Sequence, residues 1–223
     1  MGPPAFTLIE LLVVIAVIAI LAALVIPITA AVKTASTKSK AKAELAEIET
    51  AIERYKAKLG HYPPDNPGNP ATNQLFYELA GTTNDGRSFI TLDGSASIAI
   101  AGVSAAFGPK VTGFVNCTRG GGGDEAANGF KCFTDLKPGQ IAKAPSGPMV
   151  LVGVPWKQGP APFNFEPLGP SASGVNPWRY NSSSPSNNPN SYDLWIEVRL
   201  GSKTYLISNW SKQASRITAH EPY

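Results

Sequence analysis

From Phe6 to Val32 the chain is apolar at almost every position, broken only by Glu10, Pro27 and a few threonines. Beyond Val32 the run becomes polar, with Leu45, Ile48, Ile52, Tyr55 and Leu59 recurring at alternating spacings of three and four. That spacing marks one face of an α-helix. Together the two patterns predict a single helix from Phe6 to Leu59, on the order of 80 Å long at ~1.5 Å per residue. Its first half, 6–32, is apolar all round and has the length of a bilayer crossing, about 20 residues. Its second half, 33–59, carries a stripe that needs a sheet to pack on. Gly60 can take the left-handed conformation that ends a helix, and Pro63-Pro64 prevents its resumption. Pro27 lies inside the predicted helix, where it removes a backbone hydrogen bond and crowds the preceding turn, so a helix break is expected there.

After Gly60 the pattern shortens. Asn73–Ala80 predicts a small helix with Leu75, Phe76 and Leu79 on one side, and strands are predicted at Ser88–Leu92, Ser97–Val103, Val111–Val115 and Met149–Val154, each bounded by turn residues. The strongest β signal comes late: Leu194, Ile196, Val198 and Leu200 alternate with Trp195, Glu197 and Arg199. If Gly201-Ser202 is a two-residue turn, Val198 faces Tyr205 and Ile196 faces Ile207. One face of this hairpin would then meet the helix stripe, leaving Glu197, Arg199 and Thr204 on the other for solvent or neighbouring subunits, with Trp195 and Leu206 on that same side implying partial cover. Gly120–Gly123, Pro155–Pro170 and the polar run Asn181–Ser191 read as loops. The fold class expected is α+β: a long N-terminal α-helix whose amphipathic half packs on a small antiparallel β-sheet, with a loop-rich globular head over 60–223.

Composition narrows the class. At 223 residues there is room for one membrane helix and a single modest domain. A net charge of +3 without an arginine cluster among aromatics does not imply nucleic acid. The combination of 21 glycines, 20 prolines and only 16% charged residues describes a loop-rich extracytoplasmic domain rather than a helical cytosolic enzyme. Nucleophile elbow, Walker loop and zinc spacing are all missing, and Gly201-Ser202-Lys203-Thr204 lacks the upstream glycine of a phosphate loop. His61 and His220 read as surface or turn residues. The chain is therefore read as a non-enzyme with neither metal site nor cofactor.

Glu10 is the exception to the apolar run. A carboxylate within a membrane segment costs at least ~2.5 kcal/mol, so it calls for a partner. Here FTLIELLVVIAVIAILAALVIP resembles the cleavage and methylation segment of type IV prepilins and type II secretion pseudopilins. The resemblance implies that residues 1–5 are a leader, that a prepilin peptidase cuts between Ala5 and Phe6, and that Phe6 is N-methylated. It also implies that Glu10 pairs with the new amino group of Phe6 in an adjacent subunit, where each charge would otherwise be buried alone. The leader departs from the family in having no Lys or Arg, and in carrying Ala where Gly is commoner before the cut.

Two later stretches are similar to major pseudopilins. AIERYKAKLGHYPPD resembles the end of their long helix and its first turn, and Asn176-Pro177-Trp178-Arg179-Tyr180 with Ser191-Tyr192-Asp193-Leu194-Trp195 resembles a C-terminal pattern that in many members precedes a Ca²⁺-binding acidic loop. The acids for oxygen coordination are missing here, so Asp193 is read instead as a carboxylate that caps a loop. Outside the inner membrane, where the resemblance places the head, Cys117 and Cys132 are expected to form a disulfide contributing about 3 kcal/mol, with two buried thiols as the alternative.

The expected function is that of a structural subunit. It would be stored in the inner membrane and polymerised with copies of itself, by an assembly platform and an assembly ATPase, into a periplasmic or extracellular filament of pilus or pseudopilus type. The alternative is a membrane-anchored adhesin or carbohydrate-binding module using Trp156, Trp178, Trp195 or Trp210 as platforms.

Overall fold

The computed structural model describes residues 6–118, 128–134 and 136–220, without side-chain detail at 23–30. The fold is mixed α+β. It comprises two units, 1–40 and 41–223, and α1 (Leu8–Leu59) contributes to both.

In the first unit the described apolar side chains are exposed on every side of the helix, from Leu8 and Ile9 through Ile20 and Leu21. Among the described residues no helix is long and apolar enough to cross a membrane. The span expected over 6–32 includes residues 23–30, so the break expected at Pro27 lies outside the described side chains, as Ala5 and Gly120–Gly123 lie outside the described residues.

The second unit is organised by the other half of α1. Leu45, Ile48, Ile52 and Tyr55 are buried together with Ala41 and Ala51, so the stripe predicted from spacing is the core face. The helix ends at Leu59. Gly60 follows with φ 82°, and its N–H donates to the Lys56 carbonyl at 2.8 Å, closing the last turn.

Against this face pack α2 (Leu75–Ala80) and the C-terminal sheet of β7 (Arg179–Asn181), β8 (Asp193–Leu200), β9 (Lys203–Ser208) and β10 (Ser215–Ile217), in the order β10-β9-β8-β7. All three pairings in this sheet are antiparallel. The hairpin register is the predicted one, Val198 opposite Tyr205 and Ile196 opposite Ile207. Leu194, Ile196, Val198 and Ile207 join the α1 stripe in one core.

A second sheet, β3-β2-β1-β4, contains β1 (Thr82–Asn84), β2 (Ser88–Thr91), β3 (Ser97–Ala99) and β4 (Cys117–Thr118). A small hairpin pairs β5 (Ile141–Lys143) with β6 (Met149–Leu151). Two strand expectations change here. The run predicted as a strand over Ser97–Val103 is strand only to Ala99 and then becomes α3 (Ile100–Phe107), because Val103, Ala106 and Phe107 fall on a helical face and are buried together. Val111–Val115 is irregular, and pairing begins instead at Cys117, which runs parallel to Thr82.

The expected disulfide is not formed: Cys117 and Cys132 are both buried free thiols. Cys117 is held by its strand partner Thr82, and its Sγ–H faces the Thr118 carbonyl at 3.5 Å. Cys132 donates its N–H to the Leu79 carbonyl and accepts from Arg54 Nη1 at 3.1 Å. Burial pushes the Cys132 thiol up to about 11, which keeps it a packed thiol rather than a nucleophile.

The face of the C-terminal sheet turned away from α1 is not open, contrary to the expectation for Glu197 and Thr204, which are both buried. The Pro155–Pro170 loop lies over part of it. Arg199 packs so closely on Gly159 that a Cβ there would collide with its guanidinium group. Within that loop Trp156 donates its indole N–H to the Phe165 carbonyl at 2.7 Å and is itself buried.

Candidate functional site

The first turn of α1 holds Glu10, the acid that the sequence singled out. Thr7 precedes the helix and Glu10 is its third residue, and the two side chains close on each other. The Thr7 N–H and hydroxyl both donate to Glu10 Oε2, at 2.8 and 2.6 Å, while the Glu10 N–H donates back to Thr7 Oγ1 at 3.3 Å. This is a reciprocal cap that satisfies two donors the helix end leaves free. An acid in the first turn is also favoured by the helix dipole. The signal for it was present in Thr7-Leu8-Ile9-Glu10, a Thr three residues ahead of a Glu at the start of an apolar run.

Phe6, Ile9, Val13 and Val14 share with Glu10 a shallow notch on one side of this helix. Phe6 is 80% exposed. The site is therefore one carboxylate oriented by its neighbour's hydroxyl, set in an apolar stripe that the chain itself leaves uncovered. Such a surface can recruit a second apolar helix, and its carboxylate can accept a cationic donor. Among the described residues Glu10 is the one ionisable side chain lining the notch, and no group of three or more metal-ligating side chains occurs.

Elsewhere the head contains carboxylates that hold loops. Asp193 accepts from the N–H groups of Ser186, Asn187 and Asn188 at 2.8 to 2.9 Å, so it caps the polar Asn181–Ser191 loop, as its reading from sequence anticipated. Asp65 does the same from the other side, accepting from the Ser182 and Ser183 N–H groups at 3.1 Å. Nothing local in the sequence marks Asp65.

Glu78, on α2, is fully buried. It accepts from Tyr55 Oη at 3.0 Å, from the Val115 N–H at 2.8 Å and from the Asn116 N–H at 2.9 Å. Burial raises its carboxyl above the usual range, and the three hydrogen bonds oppose that rise without cancelling it.

The two histidines belong to the second unit. His61 Nδ1 contacts the Tyr62 carbonyl at 2.9 Å, as a turn residue does. His220 is more engaged than its sequence reading allowed: Nδ1 lies 2.8 Å from Glu197 Oε2 and Nε2 lies 2.9 Å from the Pro162 carbonyl. Because a carbonyl only accepts, the Nε2 contact is one in which the ring donates to Pro162. Of the four tryptophans, Trp156, Trp178 and Trp195 are buried and Trp210 is half-buried, so these rings pack inside the head rather than present a flat platform.

No protein-family model, characterised protein or solved structure matches this chain.

Proposed function

We propose that this chain is a filament subunit: processed at Ala5-Phe6, held by its N-terminal helix in the inner membrane, and polymerised through that helix with the head displayed outside. The observation that carries the reading is the first part of α1, where apolar side chains from Phe6 to Leu21 are exposed around a single first-turn carboxylate. Covering such a surface is worth roughly 25 cal/mol per Å² removed from water. Lipid already hides it in the membrane, so the gain on assembly comes from helix packing, from the Glu10 pair and from an ATP-driven platform supplied by partners.

The reciprocal cap fits this role. In the isolated chain Glu10 is satisfied by Thr7 alone. In the filament one carboxylate oxygen turns to the Phe6 ammonium of an adjacent subunit, which pairs two charges that would each be costly unpaired in apolar surroundings. The motifs near Gly60 and Trp178 favour the secretion pseudopilus over a long surface pilus.

N-terminal mass spectrometry of the protein isolated from its producing cells tests the reading. It predicts a chain that begins at N-methylated Phe6. A mature chain still carrying Met1 would remove the free amino group on which assembly depends, and with it the proposal.

A further inference from the structure

On the face of the C-terminal sheet turned away from α1, strand register sets three residues in one cross-strand row. Arg179 on β7 is opposite Trp195 on β8, and Trp195 is opposite Ser208 on β9. Directly opposed residues point to the same side of a sheet with Cβ atoms about 5 Å apart. Trp178 and Tyr180, the neighbours of Arg179, belong to the α1 core on the opposite face. All three members of the row are buried: Arg179 is 1% exposed, Trp195 2% and Ser208 1%.

All three also bring polar atoms with no hydrogen-bond partner among the described residues: Nη1 and Nη2 of Arg179, Nε1 of Trp195 and Oγ of Ser208. A single unmet group of this kind is tolerable, but a row of them around a guanidinium is not. An unpaired buried charge is strongly destabilising, and each further unsatisfied donor adds to the cost. The two acids on the same face of β8 are already engaged, Asp193 by the Ser186–Asn188 N–H groups and Glu197 by His220.

We propose that Arg179, Trp195 and Ser208 form a site for a small oxyanion enclosed in the head. The chemistry of the row selects the ligand. A guanidinium fork and an indole N–H only donate, and a hydroxyl can donate, which rejects cations and has nothing to offer a neutral apolar molecule. Two free Nη atoms match a pair of oxygens on a phosphate, a sulfate or a carboxylate. Because all three residues are buried, the ligand is a component taken up as the head folds, not one that exchanges rapidly. The site is independent of the assembly surface on α1.

The test uses the full chain, refolded with inorganic phosphate or with acetate at low millimolar concentration and with chloride at matched ionic strength, and reads the melting temperature. The expected result is a saturable rise with phosphate, with acetate or with both, growing with the logarithm of concentration above the dissociation constant. Arg179→Met should be insensitive to either anion, and Ser208→Ala should shift the concentration dependence several-fold higher. Should Arg179→Met fail to fold, Ser208→Ala and Trp195→Phe give the same comparison. Equal melting temperatures in all three anions, or an unchanged response in these variants, would overturn the site.

Discussion

The two ends of α1 meet opposite environments with similar residues. Toward its start Leu8, Leu12 and Ile15 are exposed, whereas past Ala41 the leucine and isoleucines of the stripe, Leu45, Ile48 and Ile52, are buried under sheet and loops. The apolar residue types do not separate the two stretches, since both fill their apolar positions with Leu, Ile and Ala. What separates them is periodicity: an apolar residue at every position leaves no polar face for water, while apolar residues at every third or fourth position leave one. The first stretch thus depends on surroundings the chain does not supply, and the second stabilises the head from within.

Substitutions can break that contrast, and the largest effect should come from the head. Glu78→Ala strands the Val115 and Asn116 N–H groups and the Tyr55 hydroxyl in the core. It should cost about 3 kcal/mol or more. Urea unfolding followed by tryptophan fluorescence reports on the head alone, because all four tryptophans lie beyond residue 155.

The same residue predicts a pH dependence. Its folded-state carboxyl is raised above the unfolded value, so its contribution is fully present below the unfolded pKa and is lost as pH rises through the folded one. Glu78→Gln should flatten that part of the stability profile. A wild-type head that gains stability through this rise would show the sign to be wrong.

Next in size is Ile52→Ala, which removes a fully buried side chain from the stripe and should cost about 2–5 kcal/mol. Its counterpart, Leu12→Ala, should leave head unfolding unchanged and act only on assembly, since Leu12 is exposed. Comparable losses of head stability from both would erase the distinction between the two stretches.

Much of this was legible because it is periodic or local. The stripe, the stop at Gly60 and the β8–β9 register follow from spacing and turn residues. Ser97–Phe107 was ambiguous, because a short apolar run reads alike as strand or helix until its neighbours choose. Other features join residues far apart in sequence, and no local pattern encodes them: Glu78 reaching Val115, Asp65 holding Ser182, His220 closing on Glu197 and Pro162. The covered outer face belongs to the same class, since Trp156, Phe163 and Phe165 stand in a Pro-rich segment with no strand or helix period. In the first turn of α1 the carboxylate was found by its cost, but its cap with Thr7 went unread although the motif is local.

The central claim is that the carboxylate now held by Thr7 is the acceptor for another subunit's amino terminus. A map of purified filaments at side-chain resolution tests it most directly. The account predicts the Phe6 nitrogen of one subunit within hydrogen-bonding distance of Glu10 in its neighbour. Filaments in which Glu10 meets only its own Thr7, or a mature chain that forms no filaments, would contradict it.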